Sequence, residues 1–126
     1  MIYERGVDSN GFAQIRSRGD QALFGLRTEL IKRKFGVPEG RALADFLPTV
    51  NIAAKKFAAE LTTVNVQQKD LYGTENIAIE HEDNNKAVRK TMLERGIRPE
   101  DLPPAEDTKK VASKLKNEEK KALKNK

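Results

Sequence analysis

The stretch TVNIAAKKFAAELTTV, residues 49–64, decides the fold class. Val50, Ala54, Phe57, Leu61 and Val64 recur at spacings of 4, 3, 4 and 3, with Ile52, Ala53 and Ala58 widening the stripe. Spacing near 3.6 gathers these side chains on one side of an α-helix, whereas a half-buried strand requires alternation at every second residue. Thr49 suits the N-cap, and Lys55, Lys56 and Glu60 fall off the stripe. The short alternation in residues 62–68 (TTVNVQQ) continues the helical stripe and starts no strand.

Working outward, the same logic applies on both sides. Residues 7–20 combine Gly11 and Gly19 with Phe12 and Ile15, which predicts a short helix between turns. Thr28 as N-cap, Glu29 in the first turn, Leu30, Ile31 and Phe35 on one face, and Gly36 just beyond Lys32-Arg33-Lys34 predict a second helix with a left-handed stop. Val37-Pro38-Glu39-Gly40 reads as a turn, and Arg41 to Leu47 as a short buried helix ended by Pro48. Past the turn Leu71-Tyr72-Gly73, Thr74 is placed to cap a helix running from about Glu75 to Arg95 and closed by Gly96. Its apolar face runs from Ile77 through a polar interval to Val88 and Met92, which puts His81 and Asn84 or Asn85 on the same stripe. Residues 97–104 (IRPEDLPP) are too proline-rich for a helix and predict an extended surface link. From Pro104 a Lys-rich helix is expected, with only Val111, Leu115 and Ala122 or Leu123 as an apolar face. The expected architecture is all-α: an irregular bundle of about five helices, with residues 1–103 as the core domain and 104–126 as a basic helical tail.

Charge is distributed unevenly. The net charge of +5 conceals a tail, residues 109–126, in which eight Lys face Glu118 and Glu119 for +6, leaving residues 1–108 at −1. The basic character therefore belongs to the tail and is no footprint of nucleic acid over the whole domain. The absence of cysteine excludes disulfides and thiolate metal sites. With no 18-residue apolar run and no apolar segment in residues 1–10, the chain reads as neither membrane-spanning nor secreted, and cytoplasmic is the default.

Few residues promise chemistry. His81, the only histidine, lies in Glu80-His81-Glu82-Asp83, where an imidazole beside carboxylates is suited to proton transfer or metal ligation. A helical metal pair needs a second ligand three or four residues on, and Asn84 and Asn85 are poor ones. The favoured reading is a packed, hydrogen-bonded histidine. Ser9, Ser17 and Ser113 lack a nucleophile-elbow context, and the glycines form neither a dinucleotide fingerprint nor a phosphate loop. No catalytic, cofactor-binding or metal-ligating set is expected. The basic residues Arg16, Arg18, Arg27, Lys32, Arg33 and Lys34 read first as a solvated face and second as phosphate contacts. The same holds for the tail lysines Lys109, Lys110, Lys114 and Lys116.

Several segments in order resemble a known family. Arg5-Gly6-Val7-Asp8, then Gly11-Phe12-Ala13, Ile15, Ser17, Gly19-Asp20 and Ala22-Leu23-Phe24-Gly25, then residues 43–48 (LADFLP) carry the first part of the likeness. His81, Val88-Arg89, Gly96 and residues 99–103 (PEDLP) carry the rest. Together they span roughly residues 4–115 and resemble the C-terminal half of the DNA damage-inducible protein D family. One departure is Leu26, where the family pattern has a second glycine, so a less permissive turn is expected there. The resemblance implies a bacterial protein whose expression rises with DNA damage. It also implies a Bro-N-type domain upstream, associated with DNA binding, so the present chain reads as a truncated or separately encoded half. No catalytic residues come with it. The expected function is therefore non-enzymatic: a regulatory module that associates with a protein of the repair or recombination machinery or with itself. His81, Asn84, Asn85 and Arg89 are the candidate interaction surface. Direct DNA binding through Arg16, Arg18, Arg33, Lys34 and the tail lysines is the alternative, and a hydrolase centred on His81 comes last.

Overall fold

A computed structural model of the chain describes residues 3–104 and 115–123. Among the described residues the fold is all-helical, with four α-helices in the core, α1 (Ser9–Phe24), α2 (Thr28–Lys34), α3 (Thr49–Gln68) and α4 (Thr74–Glu94), and a fifth, α5, over residues 115–123. Residues 105–114, which hold the start of the expected tail helix and Lys109, Lys110 and Lys114, lie outside the described residues, as do residues 124–126.

Helix α4 is the centre of the molecule. Helix α1 lies along it in parallel, since residues near Gly11 meet Thr74, Gly19 meets His81 and Asn85, and Leu23 meets Arg89. Helix α3 runs antiparallel to α4, with Thr62 beside His81 and Asn84, and Lys69 beside Glu80. Two apolar clusters result. One gathers Leu23, Phe24, Ile31, Phe35, Leu43, Leu47, Ala54, Ala58, Val88 and Met92, with Phe24 and Phe35 edge-to-face at 5.6 Å. The other, smaller cluster holds Val7, Ile15, Val66, Ile77 and Ala78. Between them α4 is polar and buried at Glu80, Asn84 and Asn85.

Several local expectations change. The first helix is longer than residues 7–20 suggested, at 16 residues: Asp8 caps its start, its carboxylate accepting from the Gly11 N–H at 2.7 Å, and it runs on to Phe24, where Gly25 ends it. The helix also carries two glycines in its interior. Both are buried at close helix contacts, so tertiary packing outweighs their poor propensity. Thr28, Thr49 and Thr74 are the first helical residues and not caps; the caps are Arg27, Pro48 and Gly73, with no side-chain cap bond. The Thr28 hydroxyl instead meets Ser17 and Gln21. Residues 41–47 form only a single 3-10 turn, Leu43–Phe46, with Leu43 and Leu47 buried. The proline-rich link also holds a 3-10 turn, Pro99–Asp101, whose buried Pro99 gives its carbonyl to the Asn51 side-chain amide at 3.1 Å. At Leu26 the turn is made by Gly25 alone, in the left-handed region (φ 67°), and Leu26 packs against the larger cluster.

The largest change concerns α3. Its buried row is Asn51, Ala54, Ala58, Thr62 and Val66. The apolar row read from the sequence lies rotated from it, so Val50 is 44%, Phe57 58% and Val64 48% exposed. Apolar residues lie on both rows of α3, with Ala54, Ala58 and Val66 inside and Val50, Phe57 and Val64 outside, so hydrophobic spacing alone does not choose the inward face.

Candidate interaction site

The polar interval predicted on the central helix exists, and it faces inward. His81 Nδ1 lies 2.8 Å from Thr62 Oγ1, and Nε2 lies 3.3 Å from Asn85 Nδ2. The same Asn85 amide donates to the His81 carbonyl at 2.8 Å, and Asn84 donates to Thr62 Oγ1 at 3.0 Å while accepting from Asn65 at 3.3 Å. Counting donors settles the protonation. The single Thr62 hydroxyl hydrogen goes to the Ala58 carbonyl at 2.9 Å, so Thr62 accepts from both His81 and Asn84. His81 therefore carries its proton on Nδ1 and accepts at Nε2. Burial lowers the His81 pKa from its usual value, with nearby Lys55 acting in the same direction and Asp20 opposing it.

The four residues expected as an interaction surface are thus brought together along the inner side of α4. Asn84 and Asn85 are buried, and His81 and Arg89 are partly buried. Arg89 reaches across to the Leu23 carbonyl at 2.8 Å and grips Glu100 through two bonds of 3.0 and 2.8 Å. Burial acts to raise the Glu100 carboxyl, but these Arg89 bonds hold it below the usual carboxylate range. This clamp fastens the proline-rich link to the end of α1. Glycine 19 completes the waist: its missing side chain leaves the space that the His81 ring and Asn85 occupy. Sequence spacing found the α4 members of this network but not Gly19, Thr62 or Asn65; a glycine inside an otherwise helical pattern was the available signal.

Among the described residues, no group of three or more His, Cys, Asp or Glu side chains is placed to hold a metal. The basic candidates do not converge. Arg18 is engaged by Glu75 and Glu82, which raise its pKa further, and Lys34 pairs with Asp101 at 2.6 Å. Arg16 is exposed and stacks over Phe12 at 5.4 Å, Arg33 is exposed at the end of α2, and Lys116 is exposed on α5.

The feature that sequence reasoning missed lies on the outside of α3 and α4. An apolar groove of about 340 Å³ runs between them, with Ala53, Ala54 and Ala87 among its lining and Phe57 as its wall. Val50, Leu61, Val88, Thr91 and Met92 complete it. Exposed Ile52, Val64 and Leu93 lie on the same two helices. Isolated exposed apolar residues are ordinary on a protein surface; a contiguous apolar groove is less so.

No helix among the described residues is long and apolar enough to cross a membrane. No curated protein and no solved structure matches the chain. The family model for the DinD C-terminal domain matches residues 2–111. That span takes in the capped glycine-bearing first helix, the polar waist and the clamped proline-rich link, and with it the chain belongs to the DinD C-terminal domain family, a DNA-damage-related family.

Proposed function

We propose that this chain is a non-enzymatic interaction module of a bacterial DNA-damage-response protein, acting in the cytoplasm by protein–protein association through the outer face of α3 and α4. The observation that carries the reading is the exposed Phe57 beside an apolar groove, on a helix whose polar residues Asn51 and Thr62 face inward. Leaving Val50, Phe57 and Val64 about half exposed forgoes roughly half of the 1.5–3 kcal/mol that full burial of each side chain would bring. A partner that covers the face recovers it. The hydrogen bonds of His81, Asn84, Asn85 and Arg89 join helices within the chain, so the docking role falls to the outer face of α3 and α4 and not to these four residues.

The test is co-purification from damaged and undamaged cells with wild-type protein and with Phe57→Asp. The reading requires an association, with another protein or with a further copy, that depends on Phe57. Equal recovery with both forms, or none with either, overturns it. Direct DNA binding is the second reading, favoured by the exposure of Arg16, Lys32, Arg33 and the lysines of α5. Titration of a labelled duplex at two salt concentrations tests it, because contacts to phosphate weaken steeply with salt through counterion release. No binding at low salt removes it.

A further inference from the structure

We infer that His81 is a proton-operated switch: on gaining a second proton it exchanges Asn85 for the Asp20 carboxylate, frees Lys55 and so unhooks α3 from α1. Three helices meet at its ring. Helix α1 brings Gly19 and Asp20, α3 brings Lys55 and Thr62, and α4 carries His81 and Asn85. Their arrangement serves only the neutral ring. With its proton on Nδ1, His81 donates to Thr62 at 2.8 Å, and its bare Nε2 accepts from the Asn85 amide at 3.3 Å. A second proton would sit on Nε2 and meet that amide nitrogen, donor against donor. Asn85 has no remedy in turning its amide over. The same nitrogen donates to the His81 carbonyl at 2.8 Å, and a turned amide would set Oδ1 against that carbonyl oxygen. Thr62 already accepts from both His81 and Asn84.

The acceptor that the charged ring needs stands beside it. The Nε2 edge of the ring packs against Gly19, and Asp20 follows on α1. The Asp20 carboxylate is held by Lys55 at 3.1 Å, in a pair that water still reaches on both sides. Such a pair is held weakly, and the long lysine stem lets its ammonium return to water. A buried imidazolium gains more from the same carboxylate, through a charge-assisted bond that ends its isolation. The other acidic groups of this stretch of α4 are committed or remote: Glu82 holds Arg18, Glu80 holds Lys69, and Asp83 is exposed. Burial disfavours the charged ring, Asp20 favours it and Lys55 opposes it. Departure of Lys55 removes the opposing charge, so protonation and partner exchange reinforce each other below a pH of about 6.5. The two flanking clusters are built from apolar side chains that do not titrate, so they hold while the waist rearranges.

NMR of the full chain, titrated from about pH 7.5 to about pH 5, tests the inference. At the upper end the Lys55 ε-methylene should show a nuclear Overhauser contact with the Asp20 β-methylene. That contact should fade with the midpoint of the His81 nitrogen titration and give way to one between the His81 ring and Asp20. The Leu23 and Ile77 amides, one in each apolar cluster, should keep their shifts throughout. Asp20→Asn should lower the His81 midpoint and Lys55→Met should raise it, each by about half a pH unit or more. In His81→Gln the Asp20–Lys55 contact should persist over the whole range. An Asp20–Lys55 contact that survives the His81 titration overturns the inference even if both midpoints move, because the charges then act at fixed distance. Loss of that contact in His81→Gln as well, or movement of Leu23 and Ile77 with the His81 midpoint, overturns it too; the latter would mean that acid unfolds the whole chain.

Discussion

Replacing Gly19 by alanine tests the description of the polar waist most sharply, because local propensity and tertiary packing predict opposite signs. Gly19 lies inside α1, where alanine is preferred over glycine by about 1 kcal/mol. Its added methyl, however, would stand 2.5 Å from His81 Nε2 and 2.9 Å from Asn85 Nδ2. The ring has no free direction of retreat, since Thr62 and Asn85 hold its two nitrogens. Displacing it loses two hydrogen bonds worth about 1 kcal/mol each, and overpacking a buried contact adds roughly 1 kcal/mol. Subtracting the propensity gain leaves a net destabilisation of about 2 kcal/mol, or a thermal midpoint lower by roughly 8 °C. Thermal unfolding followed by circular dichroism measures it. The double variant Gly19→Ala/His81→Ala supplies the sign test: with the ring gone, the alanine should raise stability relative to His81→Ala alone. A midpoint that rises when Gly19→Ala is made in the wild-type background would refute the close approach of α1 to α4 at this position.

Further outcomes follow from the same network. Nitrogen NMR of His81 at pH 7 should show the Nδ1–H tautomer; a proton on Nε2 would contradict the donor count at Thr62. Because the folded His81 pKa is lowered, the unfolded chain takes up the proton first, so stability falls as pH drops below about 6.5, by at most about 1.36 kcal/mol per pH unit. His81→Gln should flatten that slope in urea titrations between pH 6.5 and 5. Loss from Glu100 and Asp101, whose pKa values are also lowered, belongs below about pH 4.5, where those carboxylates protonate. Arg89→Lys keeps the charge but loses the paired grip on Glu100 and should cost about 1.5–3 kcal/mol in urea unfolding; an unchanged midpoint would mean the clamp contributes nothing. Thr62→Val removes the acceptor shared by His81 and Asn84 and should cost about 1–3 kcal/mol by the same measurement, the His81 N–H being left buried without a partner.

The helical class was legible because it rests on local rules. Gly36 and Gly96 fall in the left-handed region just past their helices, as their positions after Lys34 and Arg95 predicted. The polar residues His81, Asn84 and Asn85 fell on the predicted stripe of α4 because their spacing from Ile77 is a property of the helix alone. What spacing did not reveal is their company. Thr62, Asn65 and Gly19 come from helices far away in sequence, and nothing local at Thr62 announces that it will accept from two side chains.

From its residues alone, this chain is committed to helices, to their stops, and to a basic tail beyond an electrically balanced core, since each depends on neighbours a few positions away. Only the tertiary structure decided which side of α3 goes inside. Its apolar residues lie on both the inward and the outward row, so burial alone does not discriminate and the choice passes to the polar groups. Turning Thr62 outward would leave His81 and Asn84 without their shared partner, and such buried unpaired polar groups cost more than a half-exposed Phe57. The apolar face left on the surface is the consequence of that trade.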